Sequence, residues 1–240
     1  MKALVSRIDL NFYCLCPPFL LSPPPEVAPV YGREEWATEY HAADVLDVDY
    51  ESITCTLVPG HRRAGARIGD LHLLTSKHIG DFIWTYMSEC VVTDTVASLL
   101  TREGLTGFGL RNASIVSTGG SQTKSARSVP KVWELEVQGK GGNADPNSGI
   151  RLLYVCPECG FTAYSSFKKG IIVDETQWDR TDFFTVNGYR RHIIITERVK
   201  DLIVRNKLTN CAIFRSQDLR WGNLPRPEER PELFITKQLT

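Results

Sequence analysis

The sequence lacks net charge of either sign, long apolar runs and the short motifs that mark common catalytic sites. Its 28 Lys and Arg residues balance 28 Asp and Glu residues, which excludes attachment to nucleic acid or to an acidic membrane through bulk charge. No apolar run approaches the roughly 18 residues that a membrane-spanning helix needs. The chain contains no nucleophile elbow, phosphate loop or zinc-protease helix motif. These absences favour a protein that is not an enzyme.

The sequence also predicts neither a secretory signal nor a full set of disulfides. The apolar stretch 10–21 is interrupted by Cys14, Cys16, Pro17 and Pro18, and a proline run follows it in place of a small-residue cleavage site. The stretch therefore predicts neither a signal peptide nor a part of the core. Seven cysteines are an odd number with irregular spacing, so we expect a reducing cytoplasm.

What is present is the composition of an ordinary globular domain. The chain has 240 residues, of which 42% are hydrophobic, 23% charged and 10% aromatic. This length is sufficient for a substantial hydrophobic core. We predict a single α+β domain over residues 1–240.

The chain contains an internal repeat. Residues 92–106 and 195–209 align without a gap, with six identical and three conservatively replaced positions. An Asp-Phe pair lies upstream of each copy, beginning at Asp81 and at Asp182. This agreement indicates an ancient duplication.

Each copy has the same local pattern. A β-branched strand leads to a helix N-cap residue, Thr93 in the first copy and Thr196 in the second. Apolar residues at i, i+3 and i+4 then form one helical stripe, and another strand follows. We therefore predict two β-α-β pseudo-repeats, at about 81–117 and 182–215.

The motif with the clearest chemistry is Cys156-Pro157-Glu158-Cys159-Gly160. Two cysteines at this spacing converge on one metal ion when the turn between them points both sulfurs inward, and the following Gly admits the backbone conformation required. Strands are predicted on both sides, so residues 152–164 form a zinc-knuckle-like β-turn. A redox dithiol would instead open a helix, and is disfavoured.

A zinc ion needs two further ligands. We predict Cys14 and Cys16 as the partners of Cys156 and Cys159, because they are the only other closely spaced cysteine pair. Cys55 and His61 are interpreted as isolated residues. The alternative is that the knuckle is a β-turn without a metal.

Residues 33–51 carry seven carboxylates against the single Arg33. Two interpretations stay open, namely a solvated acidic surface and a docking face for a basic partner. In the second, carboxylates speed association and two aromatic residues hold the complex together. The residues predicted to bind the partner are Glu34, Glu35, Trp36, Tyr40, Asp44, Asp47 and Asp49.

The knuckle and the surrounding segments resemble the double-CxxCG motif family. The similarity covers about residues 80–220, and joins Cys156–Gly160 to the stretch 171–174, to Trp178 and to the strand and helix at 192–199. The family is named for two CxxCG knuckles. This chain keeps the second one and has Cys14-Leu15-Cys16-Pro17 where the first is expected.

Some members of that family are described as immunity proteins, which protect a cell from the toxin of a sibling cell. The resemblance thus implies a cytoplasmic protein that neutralises a cognate secreted antibacterial toxin by occluding its active site. It implies a structural zinc ion and neither nucleic acid nor membrane as a partner. The alternative is a zinc-ribbon-like nucleic-acid-binding protein or a metal-dependent enzyme, although Lys168 and Lys169 are the only basic cluster near the knuckle. The toxin and the oligomeric state stay open.

Overall fold

The computed structural model describes residues 10–18, 27–40, 42–46, 49–58, 61, 63–75, 78–86, 89–116, 129–165 and 169–219. Within these ranges the protein is rich in strands and has three short α-helices. The prediction of a mixed α+β fold is confirmed.

The described ranges contain fifteen strands. They are β1 Phe12–Cys16, β2 Asp44–Leu46, β3 Asp49–Ile53, β4 Arg63–Ile68, β5 Leu71–Leu74, β6 Phe82–Trp84, β7 Cys90–Thr93, β8 Phe108–Val116, β9 Val132–Val137, β10 Gly139–Lys140, β11 Leu152–Val155, β12 Thr162–Tyr164, β13 Phe183–Thr185, β14 Ile193–Thr196 and β15 Ala212–Arg215. The helices are α1 Glu35–Glu39, α2 Asp94–Arg102 and α3 Glu197–Arg205, with a 3-10 turn at Pro146–Ser148.

The strands form two larger sheets and two separate hairpins. One sheet has the order β2-β5-β8-β9-β7-β6, and the other has the order β10-β13-β14-β1-β15. Neighbours are antiparallel except for β5 with β8 and β10 with β13. The hairpins β3-β4 and β11-β12 stand apart from both sheets as two-stranded units.

The largest apolar cluster joins both sheets to α2 and α3. It includes Phe82 of β6, Leu100 of α2, Leu15 of β1, Ile195 of β14 and Ile203 of α3. Each of these side chains is at most 1% exposed. Full burial of an aliphatic or aromatic side chain contributes about 1.5–3 kcal/mol, so this cluster is a main source of the stability of the fold.

The strand β1 corrects the expectation for the N-terminal stretch. All five of its residues are buried, and it lies between β14 and β15 in the five-stranded sheet. Tyr13 and Leu15 join the largest cluster, whereas Phe12 and Cys14 join a second cluster. Both faces of the strand are covered, and for that reason its sequence is continuously apolar instead of alternating.

The two segments that align in the sequence have matching local structure. Phe82 pairs with Val92 between β6 and β7, and Phe183 pairs with Ile195 between β13 and β14. Thr93 directly precedes α2, and its hydroxyl accepts the N–H of Val96 at 3.5 Å. Each helix has nine residues.

Thr196 precedes α3 without making such a cap bond. Its hydroxyl donates instead to the carboxylate of Asp182 at 2.8 Å. In both segments, the strands on either side of the helix are separated by a third, antiparallel strand, which is β9 in the first and β1 in the second. The helix of each segment therefore crosses over one intervening strand.

Candidate metal centre

The loops of the two separate hairpins meet. The loop after β3 carries Cys55 and His61, and the loop between β11 and β12 carries Cys156 and Cys159. One potential ligand atom from each of these four residues lies within 4.8 Å of all the others. Two hairpins therefore contribute two ligands each to a group that could hold a metal ion.

The distances inside this group suit a tetrahedral ion. The Sγ atoms of Cys55 and Cys156 are 3.6 Å apart, and Cys159 Sγ lies 3.8 Å from His61 Nδ1. Zinc bonds to sulfur at about 2.3 Å, so two sulfurs of a regular tetrahedral site are roughly 3.8 Å apart. Three thiols and one imidazole are also a ligand set that zinc commonly takes in structural sites.

The knuckle sequence explains the position of the first sulfur. Gly160 has a φ of +65° and donates its N–H to the Cys156 carbonyl at 3.0 Å, which closes the turn. Within the turn, the backbone N–H groups of Cys159 and Glu158 point to the Cys156 sulfur and lower its pKa to about 5, and the Cys159 group has the larger effect. The turn thus prepares Cys156 as a thiolate, the form that binds metal.

Each hairpin contributes one buried and one half-buried ligand. Cys55 and Cys156 are each 1% exposed, whereas Cys159 and His61 are half-buried. Burial raises the pKa of Cys55, partly offset by the Val58 N–H, which donates to its sulfur at 3.4 Å. The group therefore has one sheltered side and one side open to solvent.

Aromatic residues of the knuckle hairpin surround the ligands. The His61 ring stacks on Phe161 with centroids 4.5 Å apart, and Tyr154 lies 5.7 Å away. A hydrogen bond from the Tyr154 hydroxyl to Cys156 raises the pKa of Tyr154. These contacts orient an imidazole and a sulfur from outside the ligand set, as outer residues of metal sites do.

Glu158 also connects the two loops. Its carboxylate accepts the hydroxyl of Thr56 and, at 3.1 Å, the backbone N–H of Leu57. Both partners lie directly after Cys55 in the opposite loop. The middle of the knuckle therefore holds the other ligand-bearing loop in place.

The ligand set differs from the predicted one, because Cys55 and His61 replace Cys14 and Cys16. Cys14 is fully buried among apolar residues, and this burial raises its pKa to about 12. Cys16 lies in the same strand, and its thiol donates to the Ala212 carbonyl at 3.6 Å. Both cysteines belong to the interior of the five-stranded sheet.

One sequence signal could have located the missing pair. Cys55 and His61 are separated by five residues that include Pro59 and Gly60, and such residues typically form a loop between strands. A Cys and a His at the two ends of one loop are suitable ligands for the same ion.

The residues predicted to bind a partner lie in different environments. Glu34, Glu35, Asp44 and Asp49 are exposed, as a docking surface requires. Asp47 lies outside the described residues.

The two predicted aromatic anchors are less accessible. Trp36 is only 4% exposed, because it packs edge-on against Tyr31 at 5.7 Å and beneath the Arg33 guanidinium. Tyr40 is half-buried. Trp36 thus offers almost no surface to a partner and acts in the fold itself.

No protein-family model matches the chain, and no curated protein matches it significantly. Among the described residues, no helix has both the length and the apolar character to cross a membrane.

Proposed function

We propose that this protein is an immunity protein that binds and neutralises a cognate toxin, and that a structural zinc ion stabilises it. The observation that carries the proposal is the four-residue group of Cys55, His61, Cys156 and Cys159. Four protein ligands fill a tetrahedral zinc ion and leave no position for a substrate or a reactive water. The centre therefore supports a binding protein better than an enzyme.

The zinc ion would connect two distant parts of the chain. Cys55 and Cys156 are separated by 101 positions in the sequence, and the hairpins that carry them belong to neither larger sheet. Binding of the metal at such a site contributes directly to folding, because the ligands are brought together only in the folded chain.

Metal content tests this part of the proposal. We expect one zinc ion per purified chain, and its loss in Cys55→Ser. Cys16→Ala is the matched control, because its sulfur lies in the sheet interior and the variant should keep the zinc. Zinc retained by Cys55→Ser and lost from Cys16→Ala would contradict the ligand set.

The class of partner rests on the resemblance to the double-CxxCG family and on exposed carboxylates. Glu34, Glu35, Asp44 and Asp49 lie at the surface, and toxins that act on nucleic acids or nucleotides have basic clefts. Complementary charges would steer the toxin and speed association. The bound protein would then block access of the substrate to the toxin.

Charge reversal tests the contact surface. Changing Glu34, Asp44 and Asp47 together to Lys should slow association with the toxin encoded beside its gene, strongly at low salt and weakly at high salt. Asp70→Lys is the control, because Asp70 is exposed but lies outside the acidic segment. Unchanged association would move the interface elsewhere, and catalytic turnover by the isolated protein would overturn the proposal.

A second candidate function has one supporting observation. Two hairpins that supply two ligands each are the arrangement of a zinc ribbon, and some zinc ribbons bind nucleic acid. Titration with single- and double-stranded oligonucleotides at low salt distinguishes the candidates. Tight, salt-dependent binding would favour the zinc-ribbon function over toxin neutralisation.

The proposal includes an internal duplication, in which the segments at about 81–117 and about 182–215 are two copies of one β-α-β unit. It is supported by the equivalent pairings of Phe82 with Val92 and of Phe183 with Ile195. The helices of equal length and the strand inserted beside each one agree with it. The repeated unit supplies the core, whereas the metal centre lies in hairpins outside it.

A further inference from the structure

The seven cysteines of this chain all lie within the described residues and all carry thiols, and they fall into two groups. Cys14, Cys16, Cys90 and Cys211 are buried in or next to the strands of the larger sheets. The other three, Cys55, Cys156 and Cys159, lie in the two hairpin loops of the metal centre. Among all seven, Cys159 alone is accessible to solvent to a substantial degree.

We propose that the metal centre is a redox-sensitive clamp, in which hydrogen peroxide joins Cys159 to Cys156 in a disulfide and thereby releases the metal. This inference rests on the proposed zinc centre. It adds a regulation of that centre, because the same thiolates that bind a metal are the nucleophiles that react with peroxide.

The reaction has two balanced steps. The Cys159 thiolate attacks one peroxide oxygen, the O–O bond breaks, and the departing hydroxide takes a proton to leave as water, so that Cys159 becomes a sulfenic acid. The Cys156 thiolate then attacks the Cys159 sulfur. The S–S bond forms, the S–O bond breaks, and the second hydroxide also leaves as water. The two thiolates lose two electrons in total, and one peroxide takes up these electrons and two protons from the solvent to become two waters.

Access and proximity select these two sulfurs. Cys159 is the thiol that solvent reaches first, whereas Cys55 and Cys156 are each 1% exposed. Cys156 lies in the same loop as Cys159, so their sulfurs can bond without any movement of one hairpin relative to the other. A bond between Cys55 and Cys156 would instead join the two hairpins covalently and keep the clamp closed.

The disulfide would leave only Cys55 and His61 as ligands, which are too few to hold zinc tightly. The hairpin β3-β4 would stay attached at its other end, through the ion pair of Arg67 with Glu134 and the hydrogen bond from Tyr50 to Glu89. The loop that carries Cys55 would lose the metal and keep the Glu158 bonds to Thr56 and Leu57, so oxidation should loosen this loop in part while the rest of the fold persists.

The test treats the zinc-loaded full chain with equimolar to tenfold hydrogen peroxide. It follows zinc release with a coloured chelator and maps disulfides by mass spectrometry of unreduced peptides. We expect release of the bound zinc together with a Cys156–Cys159 disulfide, both reversed by dithiothreitol and added zinc. Hydrogen exchange should become faster at residues 56–58 and stay unchanged in α2 and α3.

Two variants make the test specific. Cys16→Ala should release zinc as the natural protein does, whereas Cys159→Ser should form no disulfide in this centre. Zinc retained under peroxide, a Cys55–Cys156 bond, or release with only sulfinic and sulfonic products would each overturn the clamp. A chain that never contains zinc would instead refute the proposed metal centre, and the disulfide map of that metal-free chain would still decide whether Cys156 and Cys159 pair.

Discussion

The carboxylate of Asp182 accepts two hydrogen bonds from Thr106, one from its backbone N–H at 3.0 Å and one from its hydroxyl at 3.1 Å. Asp81 accepts the same two bonds from Thr209, at 2.8 and 2.7 Å. Each Asp lies before the first strand of one of the two aligned segments, and each Thr follows the helix of the other segment. The two segments are therefore joined reciprocally, each closing the end of the other.

Removal of Asp182 should destabilise the protein strongly. Its side chain is only 5% exposed and also pairs with Arg198 at 2.9 Å. Asp182→Ala would leave several buried or partly buried donors without an acceptor, so we expect a loss of about 3–5 kcal/mol in the free energy of unfolding, measured in urea. The exposed Asp201→Ala is the control and should change stability by less than about 0.5 kcal/mol. A loss below about 1 kcal/mol for Asp182→Ala would contradict the structural role of this carboxylate.

The N-cap of α2 makes a smaller contribution. Thr93→Ala removes the oxygen that accepts the Val96 N–H, and should lower the free energy of unfolding by about 1 kcal/mol. Thr95→Ala serves as comparison, because Thr95 is exposed in the first turn of the same helix and is not its cap. Equal effects of the two substitutions would show that the cap bond contributes nothing.

The Tyr154 hydroxyl should tune the affinity of the centre for zinc. Tyr154→Phe keeps the ring and removes the hydrogen bond to Cys156, and loss of such outer partners typically weakens metal binding by about 10- to 100-fold. Competition with a chelator of known affinity measures the change. Tyr164→Phe changes another half-buried tyrosine of the same hairpin, and its affinity for zinc should stay that of the natural protein. An unchanged affinity in Tyr154→Phe would exclude the hydroxyl from this role.

His192 should make the fold sensitive to mild acid. Burial lowers the pKa of His192 to about 4, from an ordinary value of 6.5. Between these two pH values His192 is protonated in the unfolded chain and neutral in the folded chain. The contribution of His192 to the free energy of unfolding is therefore fully present above pH 6.5. It is lost as the pH falls towards 4, which lowers the free energy of unfolding by up to about 3 kcal/mol. Urea unfolding of His192→Gln between pH 7 and 4 should show a smaller slope than the natural protein.

The control for this measurement is His78→Gln, because His78 is exposed. Its pH dependence should equal that of the natural protein. If the slopes of His192→Gln and His78→Gln coincide, then His192 does not cause the acid sensitivity.

Local features of this protein follow from its sequence, because the interactions that produce them act over a few residues. Thr93 precedes α2, since an N-cap residue and an apolar stripe at helical spacing both lie within one short stretch, and the stripe alone indicates α3. Gly160 marks the end of the knuckle turn for the same reason, as the positive φ is a property of that one position.

Only the tertiary structure decided which residues complete the candidate metal centre and which strand lies between β14 and β15 in the five-stranded sheet. Cys55 and His61 meet the knuckle because the loops of two hairpins pack together, although Cys55 and Cys156 are 101 positions apart in the sequence. Rules of ligand spacing relate only residues that are close in sequence, so they do not connect this pair to the knuckle. Cys14 and Cys16 looked like ligands because they are close in sequence. In β1, however, both side chains point to the same face of the sheet, which is covered, so Cys14 packs into one apolar cluster and Cys16 into a second.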